Sequence, residues 1–454
     1  MKDKKIRFKT FSFYDYTGIQ EHLEKMASLG WMLEKYTPFY RIYRRIEPEK
    51  IHFSVVYFPA ASELDPAPSE NQHVFYDFCA QEGWKLAATM AQMQIFYNEQ
   101  ESPCPIETDA SLQVKNIHTA AQKNFLFSHF VSLGTAFLWF CSYLLFLFID
   151  PVESLFNNFR FFLNFSWLCL GILHSLELID YFRWHKKARK AAESDGSFIP
   201  TKTRRKRIWI GISIAILFSL LSFSSFGIPY ITIPVFLLFG IAIAAIIILI
   251  VELQDSFKRK KVPKEANVVL TTIISVILAL IICGILSAFW LISLSLETKP
   301  AKSFYYKDHI YELYEDSLPL YLEDFSTVDY EGYSCHLETD NGIFLKRYRG
   351  SQQLFVKVQN APSLEYEILT FHLPFFYDLC LKELAEQHEQ EGTFVEIDTS
   401  LWGSDVKQVY QLYSDDEPVP VYLICWPDRI VDLDYSFELE DAQKQIIAEK
   451  LSEL

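Results

Sequence analysis

Charge is missing from two long stretches of this 454-residue chain. No Asp, Glu, Lys or Arg occurs in the 44 residues from 208 to 251, nor in the 31 from 266 to 296. Soluble cores do not give such runs, because polar turns interrupt buried strands and helices at short intervals. A helix that crosses a bilayer needs roughly 20 apolar residues in a row and does give them. The missing charge therefore excludes a wholly soluble globule.

Paired cysteines are also missing. The eight cysteines form no CxxC, which removes the usual zinc-ribbon and thioredoxin-like spacings. Cys335, Cys380 and Cys425 in the last third read as separate buried thiols. There is no phosphate loop, no dinucleotide-binding glycine fingerprint, no HExxH and no GxSxG. His388-Glu389 lacks the second histidine of a zinc helix, and the adjacent Cys335 and His336 would point to opposite faces of a strand. No catalytic residue and no cofactor is assigned, and the pattern names no metal. The charged start, Met1 to Lys9, leads into no apolar segment, so no cleaved signal peptide is expected.

What is present is five apolar segments. They run over residues 125–149, 161–182, 208–226, 231–251 and 268–296. The 44-residue run is too long for one span and splits at Gly227-Ile228-Pro229-Tyr230. Loop charges orient the set. Residues 183–207 carry ten Lys or Arg, and Lys258, Arg259, Lys260, Lys261 and Lys264 come after the fourth span. The loop at 150–160 has one basic residue, and the loop between the third and fourth spans has none. The basic loops are expected in the cytoplasm, which puts the N-terminus inside and the C-terminus outside a plasma membrane. Beside apolar helices these basic loops suit topology and anionic headgroups, and no nucleic acid is expected as a partner. Residues 297–454 hold 12 basic and 32 acidic residues, a net of −20, against −2 for residues 1–125.

Before the first span the sequence repeats itself. Gly30-Trp31 and Gly83-Trp84 are 53 residues apart, and each comes after a helical pattern. Glycine suits the left-handed position that ends a helix, and each Trp reads as a core anchor. Strand candidates lie before the helices at 6–13 and 51–58, and after them at 39–44 and 94–97. The pattern predicts two βαββ-like repeats in one antiparallel sheet with helices on one face. Residues 59–69 form the linker in the second copy.

The HLEKMASLGW, RRIEP, HFSVVYFP, YDFCAQEGWKL, IFYNEQ and IETD motifs of this region resemble the bacterial family known as domain of unknown function 2812, over about residues 5–120. The resemblance implies a domain that precedes membrane helices and brings no activity with it. Members encoded beside PadR-type transcriptional regulators imply a regulatory or stress-response setting.

The second span carries the polar cluster of the membrane region. His174, Glu177 and Asp180 recur every third residue, with Tyr181 and His185 beyond, and so share one helix side. A carboxylate in mid-membrane costs about 2.5–3.5 kcal/mol, so Glu177 should face protein or water. Glu252 and Asp255, at the end of the fourth span, are placed to approach it. An ion or proton site, a signalling hinge, and an interfacial collar paired with Arg183 and Lys186 all stay open, with the collar favoured. In the fifth span Ser275, Ala279, Cys283 and Ser287 recur every fourth residue and read as a packing seam.

The last segment reads as α+β. Strands are predicted at 354–358, 365–371, 406–413, 421–426 and 429–437, and helices at 375–388 and from 441. Asp432 and Asp434 fall on one face of the last strand, where a cation site and plain alternation explain them equally. The fold class is a membrane protein with five transmembrane α-helices: a cytoplasmic α+β domain over 1–120, the membrane region over 125–296, and an acidic extracytoplasmic α+β domain over 297–454. The reading is a regulatory or sensory component that couples the outer domain to the inner one, with the lipid bilayer and a cytoplasmic protein as partners. The alternatives are a transporter or transporter accessory subunit and, third, a membrane enzyme.

Overall fold

The computed structural model describes residues 3–37, 40–62, 64–65, 68–201, 203–225, 229–297, 302–306, 309–327, 332–354 and 361–452. The chain divides into two compact units. One comprises residues 1–140, 165–220 and 230–289, and the other 141–164, 221–229 and 290–454.

The first unit opens with β1 (Lys4–Arg7), α1 (Tyr16–Ser28), β2 (Trp31–Tyr36) and β3 (Arg41–Arg45). The pattern returns as β4 (His52–Tyr57), α2 (Glu70–Gln81), β5 (Lys85–Met90) and β6 (Met93–Asn98). Each helix begins at a side chain that accepts from its first free amides: Asp15 from Gly18 in α1, and Ser69 in a capping box with Gln72 in α2. Each is succeeded by a glycine with positive φ, Gly30 at 80° and Gly83 at 83°. A Cβ at either glycine would meet neighbouring atoms at 2.9 Å, so conformation and space both call for glycine there.

The six strands form two sheets, in the orders β1-β3-β2 and β4-β6-β5. This corrects the expectation of one continuous sheet. In each repeat the strand after the Gly-Trp pair carries an irregularity, between Leu33 and Lys35 in β2 and between Leu86 and Ala88 in β5. A bulge bends its strand and disturbs the ladder, so β2 and β5 stay edges of separate sheets although they are neighbours. β1 ends at Arg7, short of the expected 6–13. Phe39, placed in a strand by the pattern, lies outside the described residues, as do residues 63 and 66–67 of the linker.

Next come α3 (Ala110–Ala121) and, through one π-helical turn at Gln122–Leu126, α4 (Phe127–Ile149). The short α5 (Pro151–Phe156) leads to α6 (Asn158–Ser194), α7 (Arg205–Ser224), α8 (Pro229–Arg259) and α9 (Lys264–Glu297). Among the described residues five helices are long and apolar enough to cross a membrane. Their large apolar side chains, among them Phe137, Leu138, Phe148 and Leu280, are exposed. The turn expected at Gly227-Ile228 lies outside the described residues. Ala279, Cys283 and Ser287 of the small-residue stripe are exposed, so among the described residues they seat no helix of this chain. At 37 residues α6 outruns its apolar segment. Its later turns send Leu178, Tyr181 and Trp184 into one core with Ile19 and Leu23 of α1, Tyr43 of β3, Phe53 of β4 and Ile117 of α3.

The second unit is built on β9 (Tyr333–Asn341), β10 (Leu345–Leu354), β11 (Leu364–Phe371), β12 (Thr393–Ile397), β13 (Gln408–Ser414), β14 (Glu417–Cys425) and β15 (Arg429–Tyr435). Before them lies a hairpin of β7 (Lys302–Tyr306) and β8 (His309–Leu313). The seven strands pair antiparallel in the order β12-β13-β14-β15-β11-β10-β9. Val421 to Cys425 are all buried because helices cover both faces of the sheet. Tyr422, Ile424 and Leu433 pack against Ile447 and Leu451 of α11 (Asp441–Ser452). Leu423, Cys425 and Ile430 pack against Cys380 and Leu384 of α10 (Tyr377–Gln387) and against Val152 and Leu155 of α5. The strand expected at 354–358 begins at the last residue of β10, and 355–358 lie outside the described residues. All eight cysteines are free thiols.

Candidate functional site

The polar cluster of α6 is held in place by the segment before α1. Asp15, which is buried, accepts hydrogen bonds from the Thr201 hydroxyl at 2.9 Å and the Thr203 amide at 3.1 Å, and from the Thr203 hydroxyl. Thr17 and Thr201 exchange amide-to-hydroxyl bonds at 3.2 and 3.1 Å. Tyr16 donates to the Ile199 carbonyl at 2.9 Å. The chain between α6 and α7 is thereby tied to residues 12–18.

This tie aligns Arg207, near the start of α7, with α6. Its guanidinium meets Glu177 at 3.2 Å and Asp180 at 2.5 Å. The Ser12 hydroxyl donates to the other Glu177 oxygen at 2.7 Å. Glu177 is 7% exposed and takes both bonds. The cations at Asp180 are thus Arg207 and, at 3.8 Å, Arg204, in place of the expected Arg183 and Lys186.

Glu252 and Asp255 join a different cation. The Lys35 ammonium of β2 bridges them at 2.7 and 2.6 Å, and the Tyr40 hydroxyl donates to Glu252 at 3.1 Å. Burial pushes the Lys35 ammonium down, but its bonds to Asp255 and Glu252 outweigh this and its pKa stands above the ordinary value. His174 contacts the His129 ring edge-on at 4.9 Å, and its buried Nδ1 has no hydrogen-bond partner among the described residues. The five candidate residues therefore do not form one cluster. Glu177 with Asp180 and Glu252 with Asp255 are separate ion groups, while His174, Glu177 and Asp255 line one cavity of about 1110 Å³.

Arg207, Lys35, Ser12 and Asp15 are the members that the sequence pattern did not single out. Arg207 had one signal: it is the last cation before a charge-free run, where a paired guanidinium is the least costly charge to bring near a membrane.

In the repeat, Trp84 is buried with Val56, Cys79 and Phe96, whereas Trp31 is half-buried beneath Lys5 and Arg45. In the second unit, Asp432 faces His388 of the chain after α10. His388 Nε2 lies 3.0 Å from Asp432, and Nδ1 lies 3.2 Å from Glu391. Among the described residues no group of three His, Cys, Asp or Glu could hold a metal ion.

The bond to Asp432 raises the His388 imidazolium to about 9, against burial, which lowers it. A pKa higher in the folded chain gives stability that is complete below the ordinary value of 6.5 and lost as pH rises through about 9. Hydrogen exchange at β15 should report a loss of about 1–2 kcal/mol across that window. His388→Gln should flatten the dependence. An unchanged dependence in that variant would assign it to another group.

No curated protein and no solved structure matches the chain. Residues 15–131, from the cap of α1 into the first turns of α4, match the family model described as a protein of unknown function, DUF2812.

Proposed function

We propose that the chain is a multi-pass plasma-membrane protein of regulatory or sensory type, with its N-terminal domain in the cytoplasm and residues 297–454 outside. The observation that carries the regulatory reading is the buried tie from Ser12 and Asp15 to Glu177, Arg207 and the 199–203 segment. A tilt of α6 against α7 would strain bonds that hold residues 12–18, which enter α1 directly. A signal in the helices is thereby read in the N-terminal domain, as coupling between two conformations requires. Charge distribution supports the orientation, since the basic segments flank the same ends of the spans. A carboxylate available for proton carriage is the signature of the transport reading, and here Glu177 and Asp180 are ion-paired with Arg207, and Asp180 also with Arg204.

The test uses the full-length chain in intact cells. Ser404→Cys, on an exposed loop, should react with an impermeant thiol reagent, whereas the exposed native Cys104 should react only after the membrane is opened. A photo-crosslinker at Phe78, exposed on α2, should capture a discrete cytoplasmic protein, and Arg207→Ala should change the amount captured. Reversed labelling would overturn the orientation. A normal cellular response after deletion of residues 1–120, with solute flux through the remaining protein, would overturn the coupling and favour transport.

A further inference from the structure

We propose that the first unit holds one anionic phospholipid, with its headgroup at Lys258, Arg259 and Lys261 and its acyl chains against α6, α7 and α8. The inference rests on the membrane reading above and adds a ligand to it.

The cavity of about 1110 Å³ exceeds the usual range for small metabolites, roughly 300–1000 Å³. Its lining is mixed. Leu170 and Leu173 of α6, Ile208 and Ile212 of α7 and Val251 of α8 form an apolar wall, Lys258 and Arg259 at the end of α8 form a basic rim, and polar side chains of the N-terminal segment, among them Ser12, Lys35 and Arg41, line the rest. The carboxylates on its surface are already matched within the protein: Glu34 by Lys4, Asp255 by Lys35 and Glu177 by Arg207.

A second pocket of about 360 Å³ adjoins the same rim, since Lys258 and Arg259 line both. There they are joined by Lys261, with Gln72, Tyr76 and Gln94 supplying polar groups. Three cations face this pocket and no carboxylate does, among the described residues. Such a site takes an anion with several acceptor oxygens, for which Lys and Arg are the usual partners. An inorganic phosphate or a soluble phosphate ester would meet the cations and leave the apolar wall empty. A fatty chain alone would do the reverse. A phosphate diester carrying acyl chains matches both halves, and basic pockets at the cytoplasmic ends of membrane helices are where anionic headgroups bind.

The experiment uses full-length protein reconstituted into phosphatidylcholine vesicles with and without phosphatidylglycerol, then extracted and weighed intact by native mass spectrometry. One phosphatidylglycerol per chain should be retained, and excess phosphatidylcholine or inorganic phosphate should not displace it. Changing Lys258, Arg259 and Lys261 together to Gln should weaken retention by roughly a hundredfold. Ile212→Trp, which fills the apolar half and leaves the cations in place, should also reduce it. Equal retention of the two lipids by the wild-type chain would overturn the proposal without any variant. Displacement by inorganic phosphate would assign the site to a soluble phosphate compound instead. Failure of the chain to enter vesicles would overturn the membrane reading itself, which is distinct from loss of headgroup selectivity in an inserted chain.

Discussion

Arg207→Ala should destabilise the first unit by about 3–5 kcal/mol, the usual cost of removing one partner from a buried ion pair. The variant leaves Glu177 and Asp180 on adjacent turns of α6 without their shared guanidinium. Glu177 keeps only the Ser12 hydroxyl, and two carboxylates at that depth repel each other. The change should be read in the full-length protein as faster hydrogen exchange at residues 12–18 and at the start of α1, with a lower melting temperature. Arg207→Lys should lose much less, because a single guanidinium nitrogen, Nη2, meets both carboxylates and an ammonium can bridge two in the same way, as Lys35 does. Combining Arg207→Met with Glu177→Gln and Asp180→Asn should restore much of the loss, since it removes the charges together with their partner. If Arg207→Ala melts like the wild type, the pair is a solvated collar and the coupling proposal loses its support.

The spans were legible because their signal is composition summed over twenty or more residues, which no local exception overturns. The strands of the second unit were legible where alternation was regular, as at β15. They were hidden in β9, where buried and exposed residues do not alternate cleanly. Helix α5 was hidden by its length, since six residues are too few to show a period. At the candidate site the carboxylates were visible as charges out of place in an apolar helix. Their true partner was not, because ten cations between 183 and 207 look alike in the sequence. Only the Thr201 and Thr203 bonds to Asp15, which set where α7 begins relative to α6, select Arg207 from that group.

The repeat poses the same problem at closer range, and it leads to the second large effect. Trp84→Ala should cost about 3–5 kcal/mol, and Trp31→Ala about 1–2 kcal/mol. The two residues occupy the same place in the two copies, each directly after a left-handed glycine and at the start of an irregular strand. Their surroundings differ because the chain takes a different path after the last strand of each copy. Beyond β6 it folds back so that the Cys104 carbonyl accepts from the Trp84 indole at 2.8 Å and Ile106 packs beside it. Trp84 is left 5% exposed. Beyond β3 the Ile46 and Glu49 amides donate to the Gly30 and Ala27 carbonyls, no described segment covers the indole, and the Trp31 ring is half-buried beneath the Lys5 ammonium and the Arg45 guanidinium, 4.7 and 5.0 Å from its centroid. Cations over an aromatic face contribute about 0.5–1 kcal/mol and the half-buried Trp31 also packs on the edge of the core, while a fully buried indole loses its whole contact surface and leaves a cavity. Hydrogen exchange at β6 in the full-length chain should rise sharply in Trp84→Ala and little in Trp31→Ala. Trp84→Phe should keep most of the packing and lose the bond to Cys104, a cost of about 1 kcal/mol. Equal losses from the two alanine variants would mean that the copies are equivalent in energy as well as in sequence, and that the segment after β6 contributes nothing to the burial of Trp84.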